Sequence, residues 1–133
     1  MKSFKNIAKI VGFVIGLAVI FAAVFITVSS RKVHIAWASL VLDEHQRYLT
    51  CFELPFFVQV QKALSAHADM LTKIKQAGGQ VQSKEIKCKN YDQGLMFVKG
   101  EIEIVYQTHA QRLAIEKLIG DNFFGIAYSG VKK

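Results

Sequence analysis

The sequence of 133 residues has a single proline, Pro55, and contains neither a tract rich in Ser, Gly and Pro nor an internal repeat. These absences argue against a disordered tail, a long flexible linker and a repeat array. Also missing are CxxC, HExxH, HxH and GxSxG motifs and a glycine-rich phosphate loop. We therefore predict a non-enzymatic protein without catalytic residues, metal site or cofactor.

Positive charge is in modest excess, and the net charge of the whole sequence is +7. After residue 9 there are 14 Lys and Arg residues against 10 Asp and Glu residues, a net charge of +4. This fits a solvated basic surface, with attraction to anionic headgroups or to an acidic partner as the alternative. The only dense basic group, Lys84, Lys87 and Lys89, lacks interleaved aromatic residues, so we predict no nucleic-acid binding.

Residues 10–30 form an uncharged and mainly apolar segment. At about 1.5 Å per residue, a helix of this length spans roughly 30 Å, the hydrocarbon thickness of a bilayer. We predict a single transmembrane helix here, preceded by a short cytoplasmic N-terminus, residues 1–9. The alternative is a cleaved signal peptide, whose apolar region is usually shorter, about 7 to 15 residues.

The orientation of the predicted span follows from the cations at its two ends. Lys2, Lys5 and Lys9 precede it, whereas Arg31 and Lys32 follow it. Positive residues stay on the cytoplasmic side, so we expect the domain after the helix to be extracytoplasmic. In a Gram-negative bacterium this corresponds to an inner-membrane protein with a periplasmic domain.

Two patterns predict association between helices. Gly12 and Gly16 form a GxxxG step, which lets helix backbones approach closely, although glycine is also common in membrane helices by chance. After the membrane, positions at alternating spacings of 3 and 4 form a heptad seam of about three repeats. These positions are Phe57, Val60, Leu64, His67, Leu71 and Ile74. The alternative for this seam is packing on the sheet of its own domain.

The remaining pattern predicts a helical juxtamembrane segment, residues 31–54, and an α+β extracytoplasmic domain, residues 55–133. Within that domain the expected elements are a helix, a hairpin of two strands, a second helix and a final strand. Their ranges are 55–77, 81–89 with 95–106, 109–120 and 123–131. The order α-β-β-α-β after a transmembrane helix predicts a small ferredoxin-like fold.

From Leu64 to Val131, the hairpin sequence "FVKGEIEI" and the second helix "HAQRLAIEKLIGDNFF" follow a long helix and a glycine pair. This arrangement resembles the membrane-anchored assembly-platform proteins of type IV pili and type II secretion. The resemblance implies a coiled-coil stretch, a ferredoxin-like periplasmic domain and pairing between such proteins. It is a resemblance of architecture over about half of the chain, without a diagnostic motif.

Cys51 and Cys88 are the only cysteines. In an oxidising compartment they are candidates for a disulfide, and in the cytoplasm they would remain two buried thiols. The four histidines are scattered, which argues against a metal site. Asp43, Glu44 and His45 form the one local acid and base cluster, and we interpret it as the polar surface of a helix that leaves the membrane.

Our functional hypothesis is a scaffold or interaction component of a cell-envelope assembly, such as a pilus or secretion apparatus. Its expected partners are the membrane and envelope proteins, in a homo- or hetero-oligomer. The alternative is a membrane-anchored sensory module that binds a small ligand. A ligand would raise the thermal stability of a binding module but not that of a scaffold.

Overall fold

The computed structural model describes residues 2–90 and 92–133, without the side chains of residues 2–10, 27 and 28. The side chains of Lys2, Lys5 and Lys9 and the part of the expected turn at Tyr91 therefore lie outside the described residues. The chain divides into two compact units, Met1–His34 and Ile35–Lys133.

The first unit contains helix α1, Lys2–Val28. Every described side chain from Val11 to Ile26 is exposed, including those of Phe13 and Phe25. Within the described residues, no single helix meets the length and hydropathy required to cross a bilayer. The stretches Val11–Ile26 and Arg31–Leu42 meet that requirement only as a pair separated by a break.

The predicted helical segment 31–54 is wrong in its second half. Helix α2, Arg31–Trp37, continues only as a π-helical turn, Ala38–Leu42. Asp43 then adopts the left-handed conformation, with a φ of 56°, and ends the helix. Aspartate tolerates this conformation better than most residues do. The chain that follows lies along the sheet, where the backbone of His45 exchanges two hydrogen bonds with that of Gly130.

The expected helix over residues 55–77 is divided into α3, Phe57–Ala66, and α4, Ala68–Gln76. The break lies at His67, whose backbone leaves the helical region and whose ring stacks on Phe124 with 3.4 Å between ring centroids. Gly78 ends α4 with a φ of 91°, a conformation that favours glycine. The predicted end of this helix is confirmed.

The sheet contains β1, Gln80–Asn90, and β2, Leu95–Tyr106, which form the expected antiparallel hairpin. Helix α5, His109–Ile119, follows and begins at Thr108, whose hydroxyl accepts a hydrogen bond from the backbone N–H of Gln111. The predicted final strand consists of β3, Asn122–Phe123, and β4, Ile126–Lys132. The α+β class is confirmed.

The sheet order is β1-β2-β4-β3, with β2 and β4 parallel and the other pairs antiparallel. The crossover through α5 therefore joins two neighbouring strands. A ferredoxin-like sheet instead places another strand between the two strands that a crossover joins. The element order agrees with the expectation, and the position of β4 differs from it.

The core lies between this sheet and the helices α3, α4 and α5. Its buried members are Val60, Ile74, Ile102, Ile104, Tyr106, Ile115, Phe123 and Tyr128. Leu64 and Leu71 pack against them and are partly buried. Most of the heptad seam thus belongs to the domain's own core, which is the alternative that the sequence left open.

Candidate functional site

The most densely connected polar group of the second unit surrounds Arg112 on α5. Its guanidinium donates to Glu116 at 2.9 Å, to the backbone oxygen of Ser39 at 2.8 Å and to the hydroxyl of Ser39 at 2.7 Å. A fourth hydrogen bond, of 3.1 Å, reaches the carboxylate of Asp43. Only 8% of the Arg112 side chain is exposed. The arginine thus connects the end of the π-helical turn to α5.

Asp43 is the second centre of this network. Its carboxylate accepts hydrogen bonds from His109 at 2.6 Å and from Lys132 at 3.0 Å, in addition to the one from Arg112. The bond from His109 contributes most to lowering the pKa of Asp43 from 3.8 to about 2, against the opposing effect of burial. Asp43 is therefore a stable carboxylate, and its ionised form holds three elements together.

Tyr106 supports the same turn from the core. Its hydroxyl donates to the backbone oxygen of Asp43 at 2.8 Å. Burial raises the pKa of Tyr106 to about 12, so that the hydroxyl keeps its proton and remains a donor. This bond satisfies a carbonyl that the end of the helix leaves without a helical partner.

His45 lies on the other side of Arg112. Its Nδ1 is 3.2 Å from Glu116, and its ring stacks on Tyr128 with centroids 4.3 Å apart. Burial lowers the pKa of His45 and thus favours the neutral ring, and Glu116 opposes this effect. A neutral ring that donates from Nδ1 leaves Nε2 as an acceptor. Among the described residues, this buried Nε2 has no hydrogen-bond partner.

A glycine permits this arrangement of rings. A Cβ atom built on Gly130 would lie 2.9 Å from the ring of Tyr106 and 3.0 Å from the Cβ of His45. Any larger residue would therefore push the segment around His45 away from β4. The exchange of backbone bonds between His45 and Gly130 depends on this close approach.

A cavity of about 450 Å³ adjoins the network. Its lining includes His45, Arg47, Arg112, Glu116 and Asp121. At its rim, Arg47 lies 3.8 Å from Asp121. The lining thus combines apolar surface with charged residues of both signs, and it is less apolar than that of most small-molecule sites.

Arg112 forms hydrogen bonds with both Glu116 and Asp43, and the network thereby joins the turn after Leu42 to α5. In the described part of the chain, no three His, Cys, Asp or Glu residues are placed to hold a metal ion.

No family model, curated protein or solved structure matches the chain.

The interpretation of Asp43, Glu44 and His45 as a polar helix surface is wrong. The helix ends at Leu42, and Asp43 and His45 turn towards α5 and β4. Arg112 and Glu116, the central residues of the network, were not predicted as site residues. The spacing of four between them on a helix indicates a contact, although a surface ion pair has the same spacing.

Cys51 and Cys88 are joined by a disulfide, with their Cα atoms 5.8 Å apart. The bond ties the segment before α3 to β1. Gly12 and Gly16 lie on α1, where an added Cβ atom would contact nothing within 4 Å. Phe57 is half-buried at the start of α3, and His67 contacts Phe124 rather than another helix.

Proposed function

We propose that the protein is a non-enzymatic, single-pass membrane protein whose extracytoplasmic domain acts as a scaffold or interaction component of a cell-envelope assembly, such as a pilus or secretion apparatus. The observation that carries this proposal is the surface of α1. From Val11 to Ile26 every side chain is apolar or glycine, and all are exposed. A helix that is apolar on all sides requires an apolar environment, and a bilayer supplies one.

The disulfide supports an extracytoplasmic position for the second unit. Disulfides persist in oxidising compartments and are rare in the cytoplasm of mesophiles. The bond between Cys51 and Cys88 lies in the second unit, after the proposed span. This agrees with the orientation that Lys2, Lys5 and Lys9 favour.

The internal pairing of the polar network supports an interaction role rather than catalysis. Arg112 is satisfied by four hydrogen bonds within the domain. The long strands β1 and β2 and the compact core provide a rigid surface for a partner instead. The element order α-β-β-α-β supports a ferredoxin-like relationship to the platform proteins, while the adjacency of β2 and β4 counts against it.

Extraction of membranes with alkaline carbonate tests the anchor. The full chain should stay in the membrane pellet, because a span of this length partitions into hydrocarbon. Replacing Leu17 and Ile20 together by arginine should release it, since each arginine at the centre of a span costs about 3 kcal/mol. The matched control replaces the same two residues by alanine and should remain in the pellet. Full release of the natural chain would refute the anchor.

A second candidate function is binding of a small polar ligand in the cavity beside His45. The specific observation that favours it is the buried Nε2 of His45, an acceptor without a partner among the described residues. A ligand with an N–H or O–H donor would satisfy this atom. Thermal unfolding of the full chain against a metabolite panel tests it, because a true ligand raises the transition temperature in proportion to the logarithm of its concentration at saturation. The variant His45→Phe should lose that shift.

A further inference from the structure

The strand β1 lies at one edge of the sheet, and among the described strands it pairs only with β2. It is the second-longest strand, Gln80–Asn90. An exposed edge of this length presents a row of backbone donors and acceptors that can pair with another strand.

We propose that β1 pairs antiparallel with β1 of a second copy of this chain, around a two-fold axis that passes between the two Ile86 residues. A two-fold axis perpendicular to the sheet keeps the helices of both copies on the same face. The two four-stranded sheets then become one continuous sheet. Residues 82–90 of each copy take part in the pairing.

Charge complementarity selects this register. With Ile86 opposite itself, Glu85 lies opposite Lys87 of the second copy, and Lys87 lies opposite its Glu85. Both side chains are exposed. They lie on one face of β1, because they are two residues apart in the strand and pair with Gly100 and Val98, which are also two residues apart. Opposite charges that face each other across two strands stabilise their pairing.

The neighbouring registers are less favourable. Residues that lie directly opposite each other on antiparallel strands have side chains on the same face of the sheet. The two-fold axis must therefore pass between two copies of the same residue, because an axis between two residues of one strand would pair neighbours that point to opposite faces. Centring it on Glu85 or on Lys87 places two like charges directly opposite each other, and in the Lys87 register this repulsion opposes the attraction between Glu85 and Lys89. Centring it on Ile86 brings together two half-buried apolar side chains, a favourable cross-strand pair.

The pairing is consistent with the proposed membrane anchor and does not depend on it. A dimer of this kind leaves β3, at the other edge of the sheet, unchanged. The alternative for the same residues is that the lysines of β1 protect the edge from pairing, as charged residues do on many edge strands. Charge reversal separates the two cases.

The test measures the dimer dissociation constant of the full chain in detergent micelles, by energy transfer between labelled copies. Glu85→Lys and Lys87→Glu should each weaken the dimer by roughly tenfold, because two attractive pairs become repulsive. The double variant, with the two charges exchanged, should restore the affinity. The matched control Lys117→Glu changes an exposed charge on α5 and should have no effect.

The same series is repeated with Gly12→Ile and Gly16→Ile, which removes any contribution from the GxxxG face of α1. A dimer that persists and responds to the exchange supports pairing through β1. A chain that is monomeric at all concentrations overturns the proposal. A dimer that disappears with the glycine substitutions, or that ignores the charges of β1, overturns it as well.

A photoreactive residue at position 86 identifies the neighbour in cells. Crosslinks to residues 82–90 of a second copy support the proposal, and crosslinks only to a different protein overturn it. These outcomes are independent of carbonate extraction, so the failure of the dimer is distinguishable from the failure of the anchor.

Discussion

At the residue scale, stability of the second unit depends on a buried arginine that joins two carboxylates. Arg112 contacts Asp43 and Glu116, whose side chains are themselves mostly shielded from solvent. Removing one member of such a group leaves the others charged and without their partner, which costs more than the pair contributes as a whole. The effect of a substitution here should therefore be large.

We predict that Arg112→Leu lowers the free energy of unfolding by about 3 kcal/mol, because Asp43 and Glu116 lose the buried cation that they share and the backbone oxygen of Ser39 loses its donor. Urea denaturation of a fragment of residues 35–133, followed by circular dichroism, measures this loss. Arg47→Leu is the control, since Arg47 is 39% exposed and lies 3.8 Å from Asp121. It should cost less than about 1 kcal/mol. Equal losses in the two variants would show that the network contributes no more than a surface ion pair.

The pKa of Asp43 gives the pH dependence a definite sign. It is about 2 in the folded state and 3.8 when unperturbed, so the unfolded state binds the proton first as the pH falls. The stability from Asp43 is fully present above about pH 5 and is lost between about pH 5 and pH 2. The lowered pKa of His45 acts in the same direction, beginning near the ordinary pKa of histidine.

We therefore expect the transition temperature of the fragment to fall on acidification, and Asp43→Asn to flatten this fall below pH 5. Thermal unfolding curves from pH 7 to pH 2 measure the transition temperature of the natural fragment and of the Asp43→Asn variant. Lys117→Gln serves as a control that leaves the network intact. If the Asn variant and the natural fragment lose stability in parallel below pH 5, the ionisation of Asp43 does not contribute.

At the element scale, the periodicity of the sequence was sufficient for β2 and α5, whose side chains alternate or recur against one apolar face. The strand β1 alternates less cleanly, and the turn residues before β2 predicted its place in the hairpin. Periodicity failed where a contact distant in sequence decided the backbone. The helix expected over residues 31–54 ends at Asp43, where Arg112, His109 and Lys132 hold the carboxylate. The break at His67 accompanies stacking of its ring on Phe124, a residue that follows α5 in the sequence.

The heptad seam shows why spacing alone does not distinguish a coiled coil from a core helix. Both need an apolar stripe at spacings of 3 and 4. Here Val60 and Ile74 are fully buried within one copy. The polar network was beyond prediction for a similar reason, because its members are far apart in sequence and each is common on surfaces.

We predict that Ile74→Ala lowers the free energy of unfolding of the fragment by about 3 kcal/mol, because it leaves a cavity in the core. Val58→Ala, at a position that is 69% exposed on α3, should change it by less than about 0.5 kcal/mol. Urea denaturation at several protein concentrations measures both. A loss for Ile74→Ala that grows on dilution would instead place this residue in an interface between copies.

At the scale of the whole molecule, the chain combines an exposed apolar helix with a disulfide-bonded α+β unit. The exposed apolar helix favours a bilayer as its environment, and the disulfide favours an oxidising compartment. Together these features support the proposed position of the domain at the outer surface of a membrane. The edge strand β1 is the surface through which we propose that two such domains pair.

The most direct test of this account measures the two cysteines and the C-terminus in intact cells. The full chain carries a C-terminal tag, and spheroplasts are treated with protease and with a thiol-reactive maleimide of high mass. If the domain is extracytoplasmic as proposed, the tag is digested and the maleimide reacts only after reduction, because Cys51 and Cys88 are bonded to each other. A protected tag, together with thiols that react without reduction, would contradict the account.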